Sequence, residues 1–131
     1  MIARDVKGCV LGALQTTLKG VMDPLVIEAA AAVKAIEFAA KYGIHKCQLE
    51  GDALNIVDKI NLNSQDLSAV ENLIEEARFI RRNFQMCQIK YVRREANVVV
   101  HVLAKSAINT SEEMYRIEQC PDNSMSIVVK L

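Results

Sequence analysis

Asp23-Pro-Leu-Val-Ile-Glu28-Ala-Ala-Ala-Ala32-Val-Lys34-Ala-Ile-Glu37-Phe-Ala-Ala-Lys41-Tyr-Gly43, and shortly after it Lys46-Cys-Gln-Leu-Glu50-Gly51-Asp52, is the stretch that decides the fold class. Asp23 offers a side-chain cap and Pro24 suits the first helical position, where its missing N–H costs nothing. Leu25 to Tyr42 is rich in alanine, the best helix former, and Gly43 can take the left-handed conformation that stops a helix. So many alanines predict a helix whose backbone lies close to a sheet. Lys46 to Glu50 predicts a short strand, and Gly51-Asp52 leads into a second helix over Ala53 to Ile60.

Working outward toward the N-terminus, Met1 to Gly20 predicts a β-hairpin. Ile2 to Asp5 is short, Lys7-Gly8 supplies a turn, and Cys9 to Leu18 is extended and apolar. Toward the C-terminus, Asn61 to Asp66 is a polar loop. Ser68-Ala-Val-Glu71 has the spacing of a capping box, ahead of an apolar stripe through Val70, Leu73, Ile74, Ala77, Ile80 and Phe84. Gln85 to Val92 alternates as a strand, and an apolar helix is expected after Asn97, to about Ile108. The order β-β-α-β-α-α-β-α predicts an α/β protein with helices packed on a mixed sheet. Residues 1–110 form the expected domain. Residues 111–131 read as a C-terminal tail, with a short apolar end at Ser126 to Leu131.

The chain has 131 residues, 51% hydrophobic and 24% charged, enough for one domain with a core. Sixteen basic residues balance sixteen acidic ones, so no net field marks a nucleic-acid or membrane binder. Lys34 and Glu37 break the longest aliphatic run too early for a membrane span, and no secretory signal is evident. The four cysteines, Cys9, Cys47, Cys87 and Cys120, are widely spaced. That spacing argues against a disulfide scaffold or zinc site, and for reduced thiols in an intracellular protein, nuclear or cytoplasmic.

Three features are candidates for chemistry. Glu28 stands in the early turns of the alanine-rich helix with no Lys or Arg three or four residues away; the alternative is a favourable charge at a helix N-terminus. Asp52 follows a strand and opens a helix. It is either an ordinary cap or a carboxylate at the strand end where α/β sheets bind ligands. Asn97 and His101, four apart, share one face of a helix start, although a lone His on an apolar helix is commonly a core residue. Arg93-Arg94 precedes them. Between Arg78 and Lys105 seven basic residues stand against Glu95 alone. The helix macrodipole accounts for Arg78 to Arg82, and not for Arg93-Arg94, which suits a phosphate backbone.

Together these residues resemble the plant ribonuclease H-like (reverse-transcriptase-like) domain, related to ribonuclease H type 1. The matching elements are Ile2-Ala-Arg-Asp-Val-Lys-Gly-Cys-Val-Leu11, Pro24-Leu-Val-Ile-Glu-Ala29, Leu49-Glu-Gly-Asp52, and Val92-Arg-Arg-Glu-Ala-Asn97 through Leu103-Ala104. The resemblance implies a five-stranded mixed sheet flanked by helices. It also implies cleavage of the RNA strand of RNA–DNA hybrids by carboxylates holding two Mg²⁺ ions. Carried over by motif, Glu28 and Asp52 are catalytic and metal-binding. His101 stands where active members usually have a fourth acid, and Arg93, Arg94 and Asn97 would meet nucleic acid.

Two departures qualify that expectation. The strand that brings the family's first aspartate should precede residue 2, so the sheet lacks its middle strand unless another segment fills the gap, for which Ser126 to Leu131 is the candidate. The family's histidine-bearing loop before the last helix is also missing. The expected function is therefore a ribonuclease H-like nucleic-acid-binding domain with weak or lost cleavage, using Mg²⁺ or Mn²⁺ if active. The alternative is an inert retroelement-derived or protein-interaction module. The partner would be RNA–DNA hybrid or duplex, with no membrane, and the oligomeric state is left open.

Overall fold

The computed structural model describes residues 1–5, 10–15, 20, 23–62, 70–98, 114–117 and 126–130. Among the described residues six strands form one sheet: β1 (Ile2–Asp5), β2 (Val10–Gln15), β3 (Lys46–Gly51), β4 (Met86–Tyr91), β5 (Met114–Ile117) and β6 (Ser126–Lys130). The α-helices described are α1 (Pro24–Lys41), α2 (Leu54–Asn61) and α3 (Glu71–Arg81). The spatial order is β4-β3-β6-β1-β2-β5. The α/β class and the mixed sheet agree with the expectation from sequence.

The first hairpin forms as expected, β1 and β2 pairing antiparallel with an irregularity between Ala3 and Arg4. The gap in the middle of the sheet is filled from the other end of the chain. β6 lies between β1 and β3, antiparallel to β1 and parallel to β3. Ile127-Val-Val129 in the middle of β6 is a continuous β-branched run, which suits a strand paired on both sides. The segment 111–131, read from sequence as a tail, thus contributes two strands to the same sheet; β5 pairs with β2.

α1 begins as the sequence predicts. Asp23 caps it through Oδ1, which accepts from Leu25 N at 2.9 Å, and Pro24 is its first residue. It ends at Gly43, whose φ of 67° lies in the left-handed region. Ala29, Ala32, Ala35 and Ala39 are buried, which lets the helix backbone approach β3 and α3. Ile36, Leu49 and Ile74 fill the centre of the core, each contributing about 1.5–3 kcal/mol by burial.

α3 is held to α2 by Arg78, which is buried at 8% exposure. Its Nη1 donates to Glu71 Oε1 at 3.4 Å and to Glu75 Oε1. Its Nη2 donates to the carbonyls of Lys59 and Leu62, at the end of α2, where helix carbonyls lack intrahelical partners. Arg81 likewise works internally, donating to the Cys87 carbonyl at 2.9 Å and to Asn61 Oδ1 at 3.1 Å. These two arginines staple elements together, so the macrodipole alone does not account for them. α3 is preceded by Val70 at its cap position without a side-chain cap bond; Ser68 lies outside the described residues.

Candidate site at the carboxyl ends of the parallel strands

Glu28 and Asp52 reach the site from one helix–strand unit. From Lys41 back to Glu28 the helix spans about 20 Å at 1.5 Å per residue. From Lys46 to Asp52 the strand spans about 20 Å at about 3.3 Å per residue. The short connection between them reverses the chain, and α1 packs on β3. Both carboxylates therefore belong to the end of the layer opposite that connection. Each is half-buried, and each has an interaction partner.

The competing structural roles for these two residues lose ground. The first turn of α1 holds no acidic residue, so Glu28 lies beyond the reach where the helix dipole acts most strongly. The cap position of α2 is Ala53, which makes no side-chain cap bond, so Asp52 is not the cap the sequence suggested.

The arginine pair comes to the same end on the neighbouring strand. β4 runs parallel to β3, with Tyr91 in register with Gly51. Val92 N donates to Gly51 O at 2.8 Å, extending the pairing to the point where Arg93 begins. Arg93 and Arg94 are exposed, and a 3-10 turn follows over Arg94–Asn97, closed by Ala96 N to Arg93 O at 2.9 Å. Asn97 ends that turn and Val98 is helical. His101 and the rest of the expected last helix lie outside the described residues, as does Leu103-Ala104.

Two residues not singled out from sequence belong to this end. Tyr91 is 46% exposed two residues before Arg93, and an exposed aromatic ring is a surface on which bases can stack. An exposed aromatic at the end of a strand, two residues before Arg93, was the available signal. Lys130 closes β6 in register with Glu50, two residues before Asp52. Its signal was the apolar run that precedes it.

Among the described residues the donor set does not fit a two-cation centre. Among the described residues no three His, Cys, Asp or Glu side chains group closely enough to hold a metal ion. The central strand Ser126-Ile-Val-Val-Lys130 carries no carboxylate. Two divalent ions held close together need several oxygen ligands, and Glu28 with Asp52 supplies a charge of only −2 against +4. What the arrangement can do is present cations and an aromatic face beside two carboxylates. No helix among the described residues is long and apolar enough to cross a membrane.

No curated protein matches the sequence. Among solved structures the fold is similar to RNase H1 from the halophilic archaeon Halobacterium salinarum NRC-1, with a TM-score of 0.75 and 22% identity over 82% of each chain. The sequence profile described as Reverse transcriptase-like matches residues 1–107. With its fold and its sequence in agreement, the chain belongs to the reverse transcriptase-like family and has a ribonuclease H-like fold.

Proposed function

We propose that this chain is a ribonuclease H type 1-like nucleic-acid-binding domain in which cleavage of RNA–DNA hybrids is weak or lost. The observation that carries the reading is the composition of the central strand: β6 ends in Lys130 and brings no carboxylate between β1 and β3. Arg93 and Arg94 supply backbone contacts, and Asn97 is positioned by the turn they begin. Glu28 and Asp52 are the remaining carboxylates of the family pattern, and Mg²⁺ or Mn²⁺ would be relevant only to residual cleavage. The reading goes with an intracellular location, nuclear or cytoplasmic.

The test joins binding and cleavage. Binding of the chain to labelled hybrid and to duplex DNA is measured from low to physiological salt, followed by incubation with Mg²⁺ or Mn²⁺. Binding is expected to weaken steeply with salt, and Arg94→Ala to flatten the logarithmic slope by about one. Little product should form, so Glu28→Gln should leave the cleavage record unchanged. Brisk Mg²⁺-dependent cutting abolished by Glu28→Gln would overturn the loss of cleavage. Absence of salt-sensitive binding would leave the inert module instead.

A further inference from the structure

Away from the candidate site, at the opposite end of the parallel strand pair, Cys47 of β3 and Cys87 of β4 are register partners. In a parallel pair, partnered side chains leave the same face of the sheet, here the face on which Leu49 and Ile89 are buried. Neighbouring strands run about 4.8 Å apart, inside the Cα separation of about 4.4–6.8 Å that a disulfide spans. Cys47 is buried and Cys87 half-buried, so only one of the two is open to a reagent.

We propose that Cys47 and Cys87 are an oxidation site: a peroxide oxidises Cys87, and Cys47 then closes a disulfide that ties β4 to β3.

The environment divides the roles. The hydrogen bond between the two thiols, followed by burial, holds Cys47 protonated, well above the ordinary thiol range. The same bond, together with the Arg81 charge, draws Cys87 below that range against the opposing effect of burial. Arg81 is held in place by its bonds to the Cys87 carbonyl and to Asn61. Cys87 is therefore the sulfur that is both accessible and richer in thiolate, which is what attack on a peroxide requires.

The chemistry balances in two steps. The Cys87 thiolate attacks one oxygen of hydrogen peroxide, forming the sulfenic acid and releasing hydroxide, which takes up the proton Cys87 had lost. Cys47 Sγ then attacks Cys87 Sγ, losing its proton as the sulfenic oxygen departs as water. Two thiols lose two electrons and two protons, and one peroxide becomes two waters. β4 is the edge strand of the sheet order, so the bond would fasten an edge otherwise held by pairing on one side.

The experiment uses the full chain carrying Cys9→Ser and Cys120→Ser, so that only these two thiols remain. After hydrogen peroxide, alkylation under denaturing conditions and peptide mapping should find the peptides of Cys47 and Cys87 joined. The intact monomer should be lighter by two hydrogens, and dithiothreitol should reverse the change. In the same background, Cys47→Ala should stop at a Cys87 sulfenic acid that dimedone captures, whereas Cys87→Ser should leave Cys47 a thiol. The unsubstituted chain, mapped in parallel, should contain the same linked pair, which covers the case of a variant that fails to fold. Sulfinic acid at Cys87 with Cys47 still reduced, or linkage only between separate chains, would overturn the proposal.

Discussion

β3 and β4 are built with α1, α2 and α3 from one stretch of chain, residues 23–91, whereas β1, β2, β5 and β6 come from both ends of it. The first region is assembled from neighbours. α1 turns directly into β3, and β3 returns to β4 through two helices joined by Arg78. The second region is antiparallel, and its link to the first, β6, must arrive from more than a hundred residues beyond β1. Loop closure of that length costs more entropy before any contact repays it, and such pairing forms late. Chemistry follows the same division. The carboxylates of the candidate site come from the contiguous region and its arginines from the turn directly after it, whereas the residue at the end of the central strand, Lys130, comes from the distant one.

The largest expected effect comes from removing that link. Deleting residues 126–131 leaves β1 and β3 each with an unpaired edge in the middle of the sheet. The loss should exceed the whole margin of a domain this size, about 5–15 kcal/mol, so the cooperative thermal transition should vanish and the chain should self-associate. Val128→Pro, which removes one ladder donor from β6, is a milder version and should cost about 3 kcal/mol or more. Circular dichroism melts with light scattering test both. A truncated monomer with an unchanged midpoint would mean that β6 contributes nothing to the pairing of the halves.

Within the contiguous region, Arg78 is the most exposed to disruption by a single change, because one buried guanidinium serves four oxygens. Arg78→Met keeps the apolar stem and strands Glu71, which is half-buried, together with the two carbonyls at the end of α2. A cost of about 3–5 kcal/mol in urea unfolding is expected for breaking a buried ion pair from one side. Glu75→Ala removes a carboxylate that is itself 52% exposed and should cost much less, about 1 kcal/mol or below. Equal losses for the two variants would contradict the ranking by burial.

The contiguous region was the more legible one, for physical reasons. Asp23-Pro24 and Gly43 mark the ends of α1 through interactions within a few residues, so their meaning survives without tertiary knowledge. The strands at 46–50 and 85–92 show their apolar content locally. β5 was missed because Met114-Tyr-Arg-Ile is four residues among charges, and only its pairing with β2 makes it a strand. For β6 the apolar run and the gap it could fill were visible while its register was not, since register depends on residues at the far end of the chain. Asp52 was offset by one residue from the cap position, within the usual uncertainty of helix boundaries. Arg78 read as a base late in a helix that suits the macrodipole, because that effect is visible from its own helix alone; its burial depends on the carbonyls at the end of α2, a contact made across sequence.

The smallest effect asks whether the two regions share one stability. Asp23→Ala removes the Oδ1 acceptor from Leu25 N at the start of α1, and Asp23→Asn keeps an oxygen there. The bond is exposed, so Ala should cost about 1 kcal/mol and Asn only a few tenths. Asp23 touches nothing in β1, β2 or β6 through that bond. If the sheet unfolds as one cooperative unit, amides of β1 should nonetheless lose the same hydrogen-exchange protection as amides of β3, because both report the global opening. A loss confined to β3 and α1 would show that the contiguous region opens by itself and that the terminal strands have a separate stability. Equal losses are expected, because β6 pairs with β1 along one side and with β3 along the other, over nearly the whole of its length.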